Sequence, residues 1–118
     1  MTNKPIVHHI PICPFSQRLE IMLEMKGLRD AVEFRVVDIT IPRPPELLAK
    51  TKGRTAMPFL ELPDGRCLGE SLVILDYLDQ TLGQGSIRRD DPWERALESS
   101  LARLEAPMVS AGYGMILN

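Results

Sequence analysis

The sequence predicts an α/β fold in which a small mixed sheet of four strands carries helices on its faces, and three observations lead to it. Short apolar runs typical of strands alternate with stretches whose apolar residues recur at helical spacing, in the order βαβ, short helix, ββα. The first strand–helix–strand unit implies a parallel pair of strands with a right-handed crossover. Asp64 and Gly65 lie between two apolar runs and are typical of a hairpin turn, so the last two strands are expected to be antiparallel.

The first strand and the first helix are predicted on either side of a cysteine. Residues 6–10 form a β-branched run between two prolines, which is typical of a strand. A helix is expected to begin near Pro14, since proline is favoured in a first turn, and to end at Gly27 as a C′ glycine. Its apolar face is predicted to consist of Phe15, Leu19, Met22, Leu23 and Lys26, with Ile21 and Met25 widening it.

Further elements follow in the same alternation. A second strand is predicted over residues 32–39, with Val36 and Val37 at its centre, and a short helix over residues 46–51. Strands are predicted over residues 57–62 and 67–69. A helix over residues 71–82 completes the domain, and four of its leucines are expected to share one side: Leu72, Leu75, Leu78 and Leu82.

A linker and one more helix follow this domain. Residues 83–91 include a Gly-Gln-Gly-Ser stretch and are predicted to be a linker, with Asp91 as the N-cap of a helix that starts at Pro92. The apolar face of this helix is predicted to contain Trp93, Leu97, Ser100, Leu101 and Leu104. Since one amphipathic helix cannot form a core, we expect a complete domain in residues 1–82 and the start of a truncated all-helical domain in residues 92–118.

Composition excludes several classes of function. The chain has 118 residues, of which 44% are hydrophobic and 25% charged, which suits one ordinary soluble domain. The net charge of −2 provides no basic excess to hold nucleic acid, and no apolar run is long enough to span a membrane. Two cysteines are too few for a disulfide framework, so a reducing compartment, the cytoplasm, is expected.

Cys13 is the residue most suited to chemistry. It is predicted at the junction of a strand and a helix, where unpaired backbone N–H groups favour a negative charge, so it is a candidate nucleophile. The alternative is a buried structural cysteine that behaves as a small hydrophobic residue. Ser16 occupies the place of the second cysteine of a Cys-x-x-Cys pair, so an external thiol would have to resolve a mixed disulfide.

Three other sets of residues have both a structural and a functional interpretation. Pro58 either starts a strand or follows a cis bond that turns the backbone of Met57 toward a peptide-like ligand. Glu70 and Ser71 either cap a helix or bind the ammonium and carboxylate of an amino acid-like group. A basic cluster is either a solvated surface or a receptor for a ligand carboxylate, and it comprises Arg43, Lys50, Lys52 and Arg54.

A metal is not expected. His8 and His9 precede Cys13, but neighbouring residues of a strand point to opposite faces, so the two histidines cannot easily bind one ion. Arg18 lies one turn into the first helix, where it is either a surface charge or a support for the thiolate.

Three stretches together resemble the N-terminal, thioredoxin-like domain of the glutathione transferase family: residues 13–18 (CPFSQR), 55–62 (TAMPFLEL) and 69–71 (GES). The resemblance covers about residues 5–82, and the cysteine points to the omega-like and bacterial cysteine-type branch. It implies that Cys13 is the catalytic cysteine and that Pro58 is cis. It also implies that glutathione is bound by Phe15, Arg43, Met57, Pro58, Glu70 and Ser71, with Arg43 as the candidate for the glycyl carboxylate.

The expected function is therefore glutathione-dependent thiol transfer or conjugation through Cys13, with glutathione as co-substrate and a small electrophile or disulfide as second substrate. The family usually dimerises through surfaces of which parts lie in this chain, so the resemblance is compatible with a homodimer. One alternative is a non-catalytic binding or regulatory module, because fold does not fix function and most of the substrate domain is missing. A free-standing glutaredoxin-like reductase is a second alternative, which the helix from Pro92 argues against.

Overall fold

The computed structural model describes residues 3–83 and 85–104. The chain divides into two compact units, Met1–Gly85 and Ser86–Asn118. The first unit contains all the strands and three helices of the described chain, in this order: β1 (Ile6–His9), α1 (Pro14–Met25), a 3₁₀ turn (Arg29–Ala31), β2 (Glu33–Val36), α2 (Pro45–Lys50), β3 (Phe59–Glu61), β4 (Cys67–Gly69) and α3 (Ser71–Thr81).

The four strands form one mixed sheet with the order β2-β1-β3-β4. Strands β1 and β2 are parallel, and β3 is antiparallel to both β1 and β4. The predicted fold class is therefore confirmed, including the parallel first pair and the hairpin around Asp64 and Gly65.

Helix α1 ends where the glycine was expected to end it. Gly27 has a φ of +69°, which is the left-handed conformation that glycine adopts without a steric penalty. The N–H of Gly27 donates to the carbonyl of Glu24 at 3.0 Å, and the N–H of Leu28 donates to that of Leu23 at 2.8 Å. These two bonds form a Schellman motif and satisfy carbonyls that the end of a helix leaves unpaired.

The core lies between the sheet and the helices α1 and α3. Helix α1 packs against α3, and α3 packs against β3 and β4. The fully buried apolar side chains come from all of these elements: Val7, Leu19, Met22, Leu23, Leu60, Ile74 and Leu78. This core holds the beginnings of α1 and α3 at fixed places above the sheet.

Two predicted helix faces are partly wrong. Ile21 and Met25 do not widen the buried face of α1, since they are 60% and 68% exposed. On the leucine side of α3, Leu78 is fully buried, whereas Leu72 and Leu75 are only half-buried. The residues of α3 that are buried are Ser71, Ile74, Leu78 and Asp79.

Three strands are shorter than predicted. Strand β2 ends at Val36 because its partner β1 ends at His9, which is paired with Val36, so Val36 is the last residue of the strand and not its centre. Strand β1 stops one residue before Ile10, as the chain turns at Pro11. Strand β3 begins at Phe59, directly after Pro58, whose nitrogen has no hydrogen to donate to a ladder.

The second unit contains helix α4 (Pro92–Arg103). As predicted, Asp91 is its N-cap, and its carboxylate accepts a hydrogen bond of 3.0 Å from the N–H of Glu94. Trp93, Leu97, Leu101 and Leu104 of the predicted apolar face are all exposed. The rest of the predicted helical domain, after Leu104, lies outside the described residues.

Candidate functional site

The topology brings the predicted site residues to one edge of the sheet. His8 of β1 is paired with Phe59, and Phe59 is paired with Gly69, so the end of β1, the start of β3 and the end of β4 lie side by side. Cys13 follows β1, Met57 precedes β3 and Glu70 follows β4. Residues that are more than forty positions apart in the sequence therefore meet at this edge.

Cys13 is the N-cap residue of α1. Its backbone is extended (φ −75°, ψ 126°), and its carbonyl accepts hydrogen bonds of 3.0 Å from the N–H groups of Ser16 and Gln17. The side chain is 7% exposed and makes no capping hydrogen bond. The thiol thus lies at the positive end of the α1 dipole without being used to cap the helix, which is a suitable position for a thiolate.

A buried polar pair lies next to the cysteine. Ser16 is fully buried, and its hydroxyl is 2.6 Å from Nδ1 of His9. The His9 ring makes an edge-to-face contact with Phe34 at 4.9 Å between centroids, and burial lowers the pKa of His9. Neutral His9 and Ser16 therefore link the end of β1 to the first turn of α1. The residue that replaces the second cysteine of a Cys-x-x-Cys pair thus has a hydrogen-bond partner of its own.

The Met57–Pro58 peptide bond is cis, as the resemblance implied. Pro58 is buried and Met57 is half-buried. In the described part of the chain, no turn, loop or cap hydrogen bond to another backbone group involves the N–H or the C=O of Met57. Both groups are therefore available for a peptide-like ligand.

Glu70 and Ser71 form the beginning of α3. Glu70 is exposed and has a φ of +73°, a conformation that residues other than glycine rarely adopt and that is enriched at functional sites. Ser71 is 6% exposed, and its Oγ accepts a hydrogen bond of 3.3 Å from Nη1 of Arg18. Arg18 thus connects the helix that carries Cys13 to the helix that begins with Ser71.

The Arg18 guanidinium places a positive charge at the site, where it contacts Ser71. It lies 5.4 Å from the centre of the Phe15 ring. Burial lowers the pKa of Arg18, while electrostatic interactions with Glu70 and Cys13 act in the opposite direction. An arginine remains charged at neutral pH, so Arg18 places one positive charge between the cysteine and the start of α3.

The predicted basic cluster separates into residues with different surroundings. Arg43 is half-buried, and its Nη2 donates a long hydrogen bond of 3.5 Å to the carbonyl of Thr55, two residues before Met57. Its Nε atom is buried and has no hydrogen-bond partner among the described residues. Lys50, by contrast, is paired with Glu61 at 3.1 Å, while Lys52 and Arg54 are exposed.

Comparisons with known proteins identify the family. A family model described as the N-terminal domain of glutathione S-transferase matches residues 7–86, which is more than half of the chain. The chain belongs to the glutathione S-transferase family. The resemblance that the three sequence stretches indicated is thereby confirmed.

The relatives of this glutathione S-transferase family member are much longer than the chain itself. Glutathione S-transferase U7 of Arabidopsis thaliana is 39% identical over 84 residues, which are 71% of this chain and 35% of that protein. Glutathione S-transferase omega-1 of Sus scrofa is 29% identical over 100 residues, which are 85% of this chain and 40% of that protein. The chain thus spans 35% to 40% of the length of these two relatives.

Solved structures of the family share the fold. A glutathione transferase family member from Pseudomonas fluorescens with bound glutathione has a TM-score of 0.71 at 27% identity, covering 86% of this chain and 49% of that one. Glutathione Transferase E6 from Drosophila melanogaster has a TM-score of 0.75 at 24% identity, covering 87% and 46%, and supports the fold alone. The first unit is therefore a thioredoxin-like domain of the glutathione S-transferase type.

The two neighbouring histidines of this glutathione S-transferase domain have different partners. His8 stacks on Phe59 at 4.4 Å between centroids and contacts Glu61 at 3.0 Å, whereas His9 contacts Ser16 of α1. The two histidines therefore lie on opposite faces of β1. Among residues 3–83 and 85–104, no group of three or more His, Cys, Asp or Glu side chains could hold a metal ion.

The second cysteine does not belong to the site. Cys67 is half-buried in β4, its Sγ lies 3.7 Å from the carbonyl of Gly65, and burial together with Glu61 raises the pKa of its thiol. At neutral pH Cys67 is a protonated thiol and a poor nucleophile.

None of the helices in the described ranges is long and apolar enough to cross a membrane.

Sequence reasoning identified only part of the network around the cysteine. It gave two roles for Arg18 and did not foresee the bond to Ser71, and it assigned Ser16 no partner. The bond between Arg18 and Ser71 joins residues 53 positions apart, so no local pattern could have revealed it. The Ser16 pair could have been suspected, because His9 and Ser16 flank the turn that carries Cys13.

Proposed function

We propose that this chain binds glutathione at the sheet edge described above and carries out thiol transfer through Cys13, as a member of the cysteine-type branch of the family. One observation carries the proposal: the register His8–Phe59–Gly69 brings Cys13, the Met57 backbone and the start of α3 to the same edge. The glutathione-bound family member from Pseudomonas fluorescens supports glutathione as the ligand.

The γ-glutamyl end of glutathione binds at the start of α3. Its ammonium pairs with the carboxylate of Glu70, which is exposed and therefore accessible. Its carboxylate accepts hydrogen bonds from Ser71 and from the unpaired N–H groups of the first turn of α3, where a negative charge is favoured. The rare backbone conformation of Glu70 supports a functional reason for a side chain at this position.

The cysteinyl and glycyl parts bind along the segment before β3. The cysteinyl N–H and C=O pair with the backbone of Met57, whose own groups make no turn or loop bond to another backbone group in the described ranges. Pro58 packs against the cysteinyl part of glutathione, and Phe15 contributes an apolar surface near Cys13. The glycyl carboxylate meets Arg43, and the partnerless Nε of that arginine supports this assignment.

Thiol transfer proceeds in two exchange steps. The Cys13 thiolate attacks the glutathionyl sulfur of a mixed disulfide, an S–S bond forms between Cys13 and glutathione, and the released thiolate takes a proton to become the reduced product. A second glutathione, as thiolate, attacks the sulfur of the bound glutathionyl group. Oxidised glutathione leaves and the Cys13 thiolate is restored. Ser16 cannot resolve the mixed disulfide, so glutathione is the resolving thiol.

The second substrate is a small disulfide or electrophile. We propose residues 1–82 as the glutathione-binding domain, residues 83–91 as a linker and residues 92–118 as the beginning of a helical domain. The alternative is a non-catalytic binding module, because fold does not fix function.

The test is intact-protein mass spectrometry after incubation with oxidised glutathione at pH 7. Wild type and Cys67→Ser are expected to gain one glutathionyl group, and Cys13→Ser is expected to gain none. Cys67→Ser is the matched control, because Cys67 is the chain's other cysteine and its raised pKa keeps it protonated.

Three outcomes distinguish the interpretations. An adduct on Cys13 together with turnover of 2-hydroxyethyl disulfide supports thiol transfer. Binding of reduced glutathione without either supports the non-catalytic module. Absence of both the Cys13 adduct and glutathione binding in a folded wild type would falsify the proposal.

A further inference from the structure

Arg18 contacts Ser71 in a way that restricts what the Ser71 hydroxyl can do. Nη1 of Arg18 donates to Oγ of Ser71 at 3.3 Å, and Ser71 is 6% exposed. A serine hydroxyl has one hydrogen to donate and two lone pairs to accept with. An arginine has donors only. The bond therefore occupies a lone pair of Oγ and leaves the hydroxyl hydrogen to be donated elsewhere.

We infer that Arg18 is a positioning residue that orients the Ser71 hydroxyl as a donor and so makes the start of α3 selective for a carboxylate. This inference rests on the proposed function, since it concerns how the γ-glutamyl carboxylate is recognised. Ser71 is the first residue of α3, so its hydroxyl and the unpaired N–H groups of the first turn are donors at the same helix end.

The charge of Arg18 has a second effect at the same place. Glu70 is exposed immediately before Ser71, so a bound carboxylate would lie near another negative charge. Arg18 interacts electrostatically with both Glu70 and Cys13. Its guanidinium therefore offsets part of the repulsion between the Glu70 carboxylate and the ligand carboxylate, because a positive charge close to both attracts each of them.

The position of Arg18 suits this role and disfavours a simple surface role. The side chain is half-buried, with its guanidinium carbon 5.4 Å from the centre of the Phe15 ring. Packing over an aromatic ring limits the directions in which a guanidinium can point. The donor to Ser71 is thus held in place from the side of α1, the helix that begins at Cys13.

The experiment compares two ligands by titration calorimetry. One is reduced glutathione; the other is γ-aminobutyryl-cysteinyl-glycine, which keeps the amino group and lacks only the α-carboxylate of the γ-glutamyl residue. Wild type is expected to bind glutathione at least about tenfold more tightly than the analogue, since hydrogen bonds to charged groups are worth that much. The ratio of the two dissociation constants measures the selectivity for the carboxylate. Arg18→Met is expected to reduce this ratio by about fivefold or more, because its Ser71 hydroxyl no longer has a fixed direction.

A double-mutant cycle tests whether Arg18 acts through Ser71. Ser71→Ala is expected to reduce the ratio to the same extent as Arg18→Met, and the double variant is expected to be no worse than Ser71→Ala alone. Arg18→Lys keeps the charge and a donor, so it should retain more discrimination than Arg18→Met. Arg66→Met, which removes an exposed arginine from the hairpin turn, is the matched control and should leave the ratio unchanged.

The outcomes separate this inference from the proposed function. If Arg18→Met weakens both ligands equally, its role is structural and the inference is overturned, while the proposed function stands. The inference is also overturned if the ratio falls in the double variant by the product of the two single-variant losses, because Arg18 then acts independently of Ser71. Failure of folded wild type to bind glutathione overturns both. If Arg18→Met is unfolded by circular dichroism, Ser71→Ala carries the comparison, and a folded Ser71→Ala variant that keeps the wild-type ratio overturns the inference.

Discussion

Replacing Lys26 with methionine should destabilise the first unit more than any surface substitution. Nζ of Lys26 is 2.9 Å from Oδ1 of Asp79, 2.7 Å from the carbonyl oxygen of Asp79 and 3.1 Å from that of Gly85. An ammonium has three hydrogens to donate, and these contacts use all of them. The Lys26 and Asp79 side chains are only 5% and 1% exposed, so water cannot replace either partner.

The magnitude follows from what the substitution leaves behind. Removing one member of a buried ion pair costs about 3–5 kcal/mol, because the other charge stays buried while it loses the opposite charge that offset part of its desolvation. The two carbonyl oxygens lose a charged donor as well, although these losses overlap with the first and do not simply add. Against a total stability of about 5–15 kcal/mol for a typical domain, we expect Lys26→Met to lose about 4 kcal/mol.

Equilibrium unfolding in urea measures this loss. Lys4→Met, which removes a lysine from an exposed position, is the matched control and should change the free energy of unfolding by less than about 0.5 kcal/mol. A loss below about 1 kcal/mol for Lys26→Met would refute this reasoning.

Two further predictions concern pH and backbone conformation. Burial lowers the pKa of His8 and of His9, so the unfolded chain binds protons more readily below pH 6.5. The free energy of unfolding should therefore be nearly constant between about pH 7 and pH 8 and fall as the pH is lowered toward 5, by at most about 1.4 kcal/mol per unit for each histidine; urea unfolding with a flat profile from pH 7 to 5 would contradict it. At position 70, where φ is +73°, Glu70→Gly should be more stable than Glu70→Ala by about 1 kcal/mol, the reverse of the usual order in helices, while both variants bind glutathione more weakly than wild type. An alanine variant as stable as the glycine variant would show that the backbone at this position is not strained.

The elements that the sequence predicted well are those with local determinants. Asp91 followed by Pro92 begins α4, and Gly27 ends α1, because caps depend on the residues within one turn of the helix end. The hairpin at Asp64 and Gly65 is local in the same sense. The length of β2 could not be predicted in this way, since it is limited by the end of β1, to which it is paired.

The buried face of α3 was predicted only in part, because two of its buried residues are polar. Leu78 is buried, but so are Ser71 and Asp79, while Leu72 and Leu75 are only half-buried. A pattern of apolar residues assigns polar residues to solvent, yet Ser71 has a basic partner on α1 and Asp79 has one at the C-cap of α1. Those partners are 53 positions away, so the sequence gives no sign of them before the fold is known.

The two polar contacts also explain how the candidate site keeps its geometry. Arg18 meets Ser71 and Lys26 meets Asp79, with the same separation of 53 residues, so α1 and α3 run in the same direction and in step. The two contacts are eight positions apart on each helix, which corresponds to about 12 Å along the helix axis. A slide of α3 along α1 by one turn would break the buried pair of Lys26 and Asp79. This pair therefore fixes the position of Ser71 relative to Arg18 along the helix axes, so a contact remote from the candidate site stabilises its geometry.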